Sequence, residues 1–194
     1  FADIWFKQKQ IEWRSSYQEK VQIVMKKYLM PAFVHQVMTK IKKSDVLNFR
    51  VVLAKVTHGK DQTSLKASRI NQIMTPLRMI LNDAAERYEF ESPYKNINNL
   101  KESKIEVTPF SLEEVHKILT TVREDFRPYY TIRFFTGMRT SEIDGLQWKN
   151  IDLQRREIHI REAFVNGVLG GTKTYGSDRT IQMNDRVYQA FMQQ

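Results

Sequence analysis

The chain has no cysteine, which excludes a disulfide framework and a thiolate metal site and fits a reducing compartment. It also has no apolar run near the ~20 residues that cross a bilayer. Its opening residues, Phe1-Ala2-Asp3-Ile4-Trp5, lack the basic and apolar zones of a secretion signal. The four histidines, His35, His58, His116 and His159, lie far apart and never form a two-ligand helical spacing, so no metal site is expected. There is no internal repeat and no low-complexity tract. What remains is a chain of 194 residues, long enough for one large or two small domains. With 41% hydrophobic residues it can build a packed core, and 27% charged residues is ordinary.

The formal charge is +9, and it is unevenly placed. Residues 1–103 hold 18 Lys/Arg against 10 Asp/Glu, whereas residues 104–194 hold 13 against 12. Between Lys7 and Lys60 there are 12 basic and three acidic residues. Such a front half attracts a polyanion, because each phosphate neutralised releases condensed counterions. Charge alone leaves two readings open, a nucleic-acid surface or a solvated face.

The first hundred residues read as helices. Ile4–Trp13 is one candidate. In Tyr17–Leu29, the residues Tyr17, Val21, Val24, Tyr28 and Leu29 form one stripe, and Pro31 is expected to end it. Ser44-Asp45 can cap a helix facing inward through Val46, Phe49, Leu53 and Val56. After a polar loop, 57–63, Ser64 is expected to cap a long helix carrying Ile70, Ile73, Met74, Leu77, Ile80, Leu81, Ala84 and Tyr88 inside. Pro76 should kink it, having no N–H and a ring that clashes with the preceding turn. The polar, Asn- and Lys-rich stretch 92–107 reads as a linker.

Composition changes beyond it. Ser111-Leu112-Glu113-Glu114 is a capping box opening a helix on Leu112, Val115, Ile118 and Leu119. Pro128 suits the first turn of the next helix, which runs to a stop at Gly137. Past Trp148 the period becomes two: Ile158 and Ile160 alternate with His159 and Arg161, and 179–183 forms another strand. Gly167, Gly170 and Gly171 are assigned to turns, and a last helix begins near Asp185.

Chemistry concentrates at Thr136-Gly137-Met138-Arg139-Thr140-Ser141-Glu142-Ile143, followed by Leu146 and Trp148. A helix ends at a glycine and an arginine opens the next turn. An arginine held between two helices can aim its planar fork at a phosphate and bond two oxygens together. Glu142 can orient it or cap the turn. Alone, the spacing is equally that of a helix stop followed by a surface ion pair.

The segment resembles the first active-site box of the tyrosine recombinases (phage integrases), T-G-x-R-x-x-E-[IL]-x-x-L-x-W, with every fixed position filled from Thr136 to Trp148. Residues 109–115 resemble the opening helix of that family's catalytic domain. Thr172-Lys173-Thr174 and Ser177-Asp178-Arg179-Thr180-Ile181 resemble the hairpin that carries a catalytic lysine. Residues 28–33 and 70–73 resemble its helical core-binding domain. One departure is Gln182, where the family usually has proline; Pro76 is another.

The resemblance implies a mainly α fold with a small antiparallel β-sheet. A helical, SAM-like core-binding domain would span 1–103, and the N-terminal half of an α+β catalytic domain, truncated, 104–194. Arg139 would stabilise the pentacoordinate phosphate, Lys173 would protonate the leaving 5′ oxygen, and Glu142 would support the site. Preorganised donors of this kind are worth ~3 kcal/mol each. Arg179 would contact backbone phosphate or pin the hairpin. Lys20, Lys40, Lys42, Lys43, Lys66 and Arg69 are candidates for backbone contact on double-stranded DNA, or else solvated lysines and arginine.

No tyrosine stands in the nucleophile's setting, and no His-x-x-Arg box follows Lys173, so the chain is expected not to cut DNA alone. The parent enzyme would integrate or excise a mobile element through a 3′-phosphotyrosyl intermediate. It would need no cofactor or metal, would act as a homotetramer on paired sites with accessory DNA-bending proteins, and would work in the bacterial cytoplasm at the nucleoid without membrane attachment. Rival readings are a DNA-binding module without turnover and a helical protein-interaction domain. Type IB topoisomerases share the chemistry, but the front domain resembles an integrase.

Overall fold

The computed structural model describes residues 1–58, 63–104, 106–171 and 178–194. The chain divides into two compact units, Phe1–Ile105 and Glu106–Gln194.

In the first unit, α1 (Ala2–Lys9) drives Trp5 into the core, edge-on to Trp13 at 5.6 Å. Helix α2 (Ser15–Val24) buries Val21 and Val24 but leaves Tyr17 at the surface. A five-residue π-helical turn, Met25–Leu29, then leads into α3 (Met30–Phe33). The helical path therefore passes Pro31, where an end was expected. Pro31 supplies no N–H to the turn before it, and the wider π turn, whose Met25 carbonyl takes the Met30 N–H, relieves the ring's crowding. The same turn points Met25, Tyr28 and Leu29 into the core.

Helix α4 (Lys43–Lys55) buries Val46, Phe49 and Leu53, as its period requires, and the Asp45 carboxylate accepts the Lys42 N–H at 2.8 Å. Strands β1 (Thr57–His58) and β2 (Thr63–Ser64) pair antiparallel, Thr57 opposite Ser64. Ser64 thus belongs to a strand and does not cap the following helix, whose N-cap is Lys66. Helix α5 (Ala67–Arg87) runs unbroken through the buried Pro76. Its inner face is the expected one, from Ile70 to Ala84, except that Tyr88 lies exposed just past its end.

The segment after α5 is not a free linker. Tyr94 and Ile97 are buried in the first unit's core, and Leu100 packs on it. Asn71, buried in α5, donates to the Leu100 carbonyl and accepts the Leu100 N–H, both at 2.9 Å. Irregular chain can pack this way because its backbone finds partners: Asn71 serves Leu100, Arg50 donates to the Asn98 carbonyl at 3.0 Å, and the Ile97 N–H donates to the Tyr94 carbonyl at 3.2 Å.

The second unit opens with α6 (Leu112–Thr121). Its capping box is formed: the Ser111 N–H donates to Glu114 at 2.7 Å and the Glu114 N–H to the Ser111 hydroxyl at 3.2 Å. Val115 is buried, but Leu112 is exposed. Helix α7 (Arg127–Thr136) has Pro128 in its first turn and ends at Gly137, with φ of 65°. Five residues, Thr140–Asp144, make α8. The strands are β3 (Ile151–Asp152), β4 (Glu157–Ile160), β5 (Glu162–Val165), β6 (Val168–Gly171) and β7 (Arg179–Gln182).

Strands β3, β4 and β7 form an antiparallel sheet in that order, with Ile158 opposite Ile181 and Ile160 opposite Arg179. Strands β5 and β6 make a separate hairpin turning at Asn166-Gly167, so Gly170 and Gly171 lie in β6 rather than in turns. Helix α9 (Asp185–Met192), capped by Asn184, packs against α7. Between helices and sheet lie Ile132, Met138, Ile143, Ile158, Ile160 and Val187. A Cβ on Gly145 would stand 2.7 Å from the Phe164 backbone nitrogen, so α8 rests on β5 with no space for a side chain.

Candidate active site

The site forms where α7 hands over to α8. The positive φ at Gly137 reverses the chain, a conformation that costs other residues energy. Thr136 steadies the reversal: its hydroxyl donates to the Ile132 carbonyl at 2.6 Å and accepts the Met138 N–H at 3.3 Å. Met138 is buried, and Arg139 emerges next as the N-cap of α8 with its side chain 64% exposed.

Glu142, one turn on, is 3% exposed. It performs both roles the sequence left open. One oxygen, Oε2, accepts the Arg139 backbone N–H at 2.9 Å, closing the helix start, and Oε1 accepts Arg139 Nη1 at 2.7 Å, orienting the side chain. From β7, Arg179 places Nη2 on Oε2 at 2.8 Å and Nη1 on Oε1 at 3.1 Å. These bonds, Arg179's foremost, hold the Glu142 carboxyl down at about 2, against a burial that acts in the opposite sense. The same pairing pushes the Arg179 guanidinium up.

Two further contacts fix α8 and were not legible in the sequence. The Tyr129 hydroxyl donates to Asp144 at 2.6 Å, and Arg133 Nη2 donates to the Thr140 hydroxyl at 2.6 Å. Tyr129 and Arg133 lie one turn apart on α7, and their partners end and begin α8, so the two bonds form rungs between the helices. Only a helix-spacing argument applied across both helices would have found them. Burial and the Asp144 partner raise the Tyr129 phenol above its ordinary value, the wrong direction for an activated nucleophile. Tyr28 and Tyr94 are buried in the first unit.

Lys173 and Tyr175 lie outside the described residues. In the first unit Lys20 is exposed on α2, and Lys40, Lys42 and Lys43 are exposed along the approach to α4. Lys66 is exposed at the N-cap of α5; Arg69, in the first turn, is half-buried and donates to Gln72 at 3.2 Å. Among the described residues no group of three His, Asp or Glu is placed to hold a metal, and no helix is long and apolar enough to cross a membrane.

Comparison with known proteins gives the same assignment from both ends of the chain. Residues 108–194 match the phage integrase family, and residues 1–53 match the phage integrase N-terminal SAM-like domain. Among curated proteins, the ICEBs1 integrase of Bacillus subtilis (strain 168) is 26% identical over 186 residues, covering 92% of this chain and 49% of that protein. The prophage integrase IntR of Escherichia coli (strain K12) is 22% identical over 205 residues, covering 100% of this chain and 49% of its own length.

The chain thus spans about half the length of these two relatives. Among solved structures, the Tn1549 transposon integrase in complex with transposon right end DNA shares the fold, with a TM-score of 0.79 at 20% identity over 99% of this chain and 63% of that one. A complex of the same integrase with circular intermediate DNA gives 0.74 at 19% identity, with the same coverage. At both ends, over residues 1–53 and 108–194, the chain is thus similar to the phage integrases, a family of tyrosine recombinases.

Proposed function

We propose that this chain is the DNA-grasping and first phosphate-clamping part of a site-specific DNA recombinase. The parent enzyme breaks and rejoins strands through a 3′-phosphotyrosyl intermediate, integrating or excising a mobile element. The observation that carries this reading is Arg139. The family motif is complete around it, its guanidinium is exposed, and a buried carboxylate holds it from behind. Such a group stabilises charge developing on a phosphate without having to reorganise. Lys173 serves as general acid on the leaving 5′ oxygen, and Glu142 positions Arg139. The covalent intermediate conserves the phosphodiester's energy, so the chemistry calls for neither cofactor nor metal.

The first unit, in this reading, is the core-binding domain, with residues 1–103 supplying most of the electrostatic attraction. Lys42 and Lys66 stand at the N-caps of α4 and α5, where the helix dipole disfavours a cation by a few tenths of a kcal/mol. A phosphate docked there relieves that cost. The 194 residues alone bind duplex DNA without cutting it, because no tyrosine nucleophile is assigned among them. The complete enzyme assembles as a homotetramer on paired sites, with DNA-bending partners, at the bacterial nucleoid in the cytoplasm.

Fluorescence anisotropy of a labelled duplex tests the binding half: affinity should fall about a thousandfold between 50 and 200 mM salt if six or more phosphates are contacted. A flat salt response would remove DNA as the partner. For catalysis, a nicked suicide substrate offered to a protein carrying these residues together with a tyrosine nucleophile should trap a covalent adduct. Arg139→Ala and Lys173→Ala should each cut trapping by at least a hundredfold. Unchanged trapping in either variant rejects the role given to that residue.

A further inference from the structure

Two arginines share one buried carboxylate at the head of α8, and they share it unequally. Arg179 sets two guanidinium bonds on Glu142, one to each oxygen. Arg139 sets only one, Nη1 to Oε1, and adds its backbone N–H to Oε2. Each oxygen is therefore bonded twice, which fills the acceptor positions of a carboxylate. A guanidinium has five N–H donors, and among the described residues Arg139 directs one of them at Glu142. Its side chain is 64% exposed, against 34% for Arg179.

Charge tells the same story. Among the described ion pairs of Glu142, two cations share one anion, a net charge of +1 for those three groups. Without Arg179 the remaining pair would be neutral. The fork of Arg139 could then turn onto both oxygens, the side-by-side geometry that guanidinium and carboxylate favour.

Resting on the reading that Arg139 clamps a DNA phosphate, we infer that Arg179 is a positioning residue for Arg139. By occupying both oxygens of Glu142, it keeps Arg139 out of a closed, neutral pair and leaves its fork available, with net positive charge, to a phosphodiester. Arg179 acts through Glu142 and Arg139 rather than by touching the DNA backbone itself.

The test is a set of variants of the 194-residue chain, with duplex affinity measured by anisotropy and folding checked by thermal melting. Arg139→Gln and Arg179→Gln should each weaken binding by about tenfold, the worth of a charge-assisted bond. Together they should weaken it no further. Arg179→Lys, which keeps the charge but not the fork, should fall between wild type and Arg179→Gln. The deciding variant is E142Q combined with R179Q: with no anion left to capture Arg139, it should recover most of the affinity lost in R179Q alone.

Losses that multiply in the double arginine variant would mean that Arg179 contacts DNA directly and would overturn the inference. So would an R179Q protein that melts earlier yet binds normally. Should the wild-type chain bind no duplex, the DNA reading fails, and a second measurement still decides the inference. Rotation about the Arg139 Cζ–Nε bond, read by nitrogen NMR, should slow in R179Q as the fork closes on Glu142; an unchanged rate rejects the inference.

Discussion

The two units of this chain handle charge in opposite ways. Phe1–Ile105 carries 19 basic and 10 acidic residues, whereas Glu106–Gln194 carries 12 of each. In the first unit the candidate lysines are exposed, Lys42, Lys43 and Lys66 at helix starts, over a core of aliphatic and aromatic side chains. The second unit is electrically balanced, and at its candidate site it buries an anion between two cations. An excess of charge spread over a surface attracts any polyanion, at a strength set by salt. One oriented charge on a neutral unit does little at a distance but much at contact, where its geometry decides which oxygen is stabilised. On the function proposed above, attraction falls to the first unit and chemistry to the second.

The most damaging way to break that division is to empty the buried site. Glu142→Ala should destabilise the second unit by about 4 kcal/mol, since it removes the buried carboxylate that two guanidiniums share. Urea unfolding followed at Trp148, in the second unit, should shift well below that followed at Trp5 and Trp13, in the first. A common shift at all three would mean that the units do not unfold separately.

Acid reaches the same carboxylate more gradually. Because Glu142 is held at about 2 in the folded protein, below its ordinary 4.5, it stabilises the fold fully above about pH 4.5. That contribution, on the order of 3 kcal/mol, disappears as pH falls toward 2. Thermal melting of the second unit between pH 5 and 2 should show this slope, and E142Q should flatten it. A smaller loss, about 2 kcal/mol, is expected for Gly145→Ala, because the new methyl meets backbone of β5 that cannot rotate away. An unchanged melting point would show that α8 can lift off the hairpin.

The smallest effects belong to the first unit and sharpen its half of the comparison. Lys42→Ala and Lys43→Ala should each lower the salt slope of duplex binding by about one, changing stability by no more than a few tenths of a kcal/mol. Lys149→Ala, on the balanced unit, should leave the slope where it was. Equal changes in all three would erase the distinction between the units.

The parts of this architecture visible in the sequence were those written in short-range spacing. The α5 stripe, the Ser111 capping box, the Gly137 stop and the Arg139-x-x-Glu142 pair each involve residues within a few turns of one another. The Arg179–Glu142 bond spans 37 positions and depends on strand register, so residue spacing alone left Arg179 with two readings. Tyr94 and Ile97 were hidden for another reason: two anchors in polar, irregular chain make no period. Pro31 misled because its effect depends on the turn before it, and a π turn has no simple composition.

Gly137 has open space around it: a Cβ there would meet nothing within 4 Å. Replacement would therefore be opposed by backbone torsion and not by collision. Asparagine, which tolerates a left-handed turn, should keep the reversal, whereas valine should pull φ negative and swing Arg139, two residues on, off its line. Displacements of about 1 Å can cost a hundredfold in rate when reacting groups must meet. The torsion at Gly137, uncrowded by any neighbour, thus sets where the chain delivers Arg139 to its carboxylate partner.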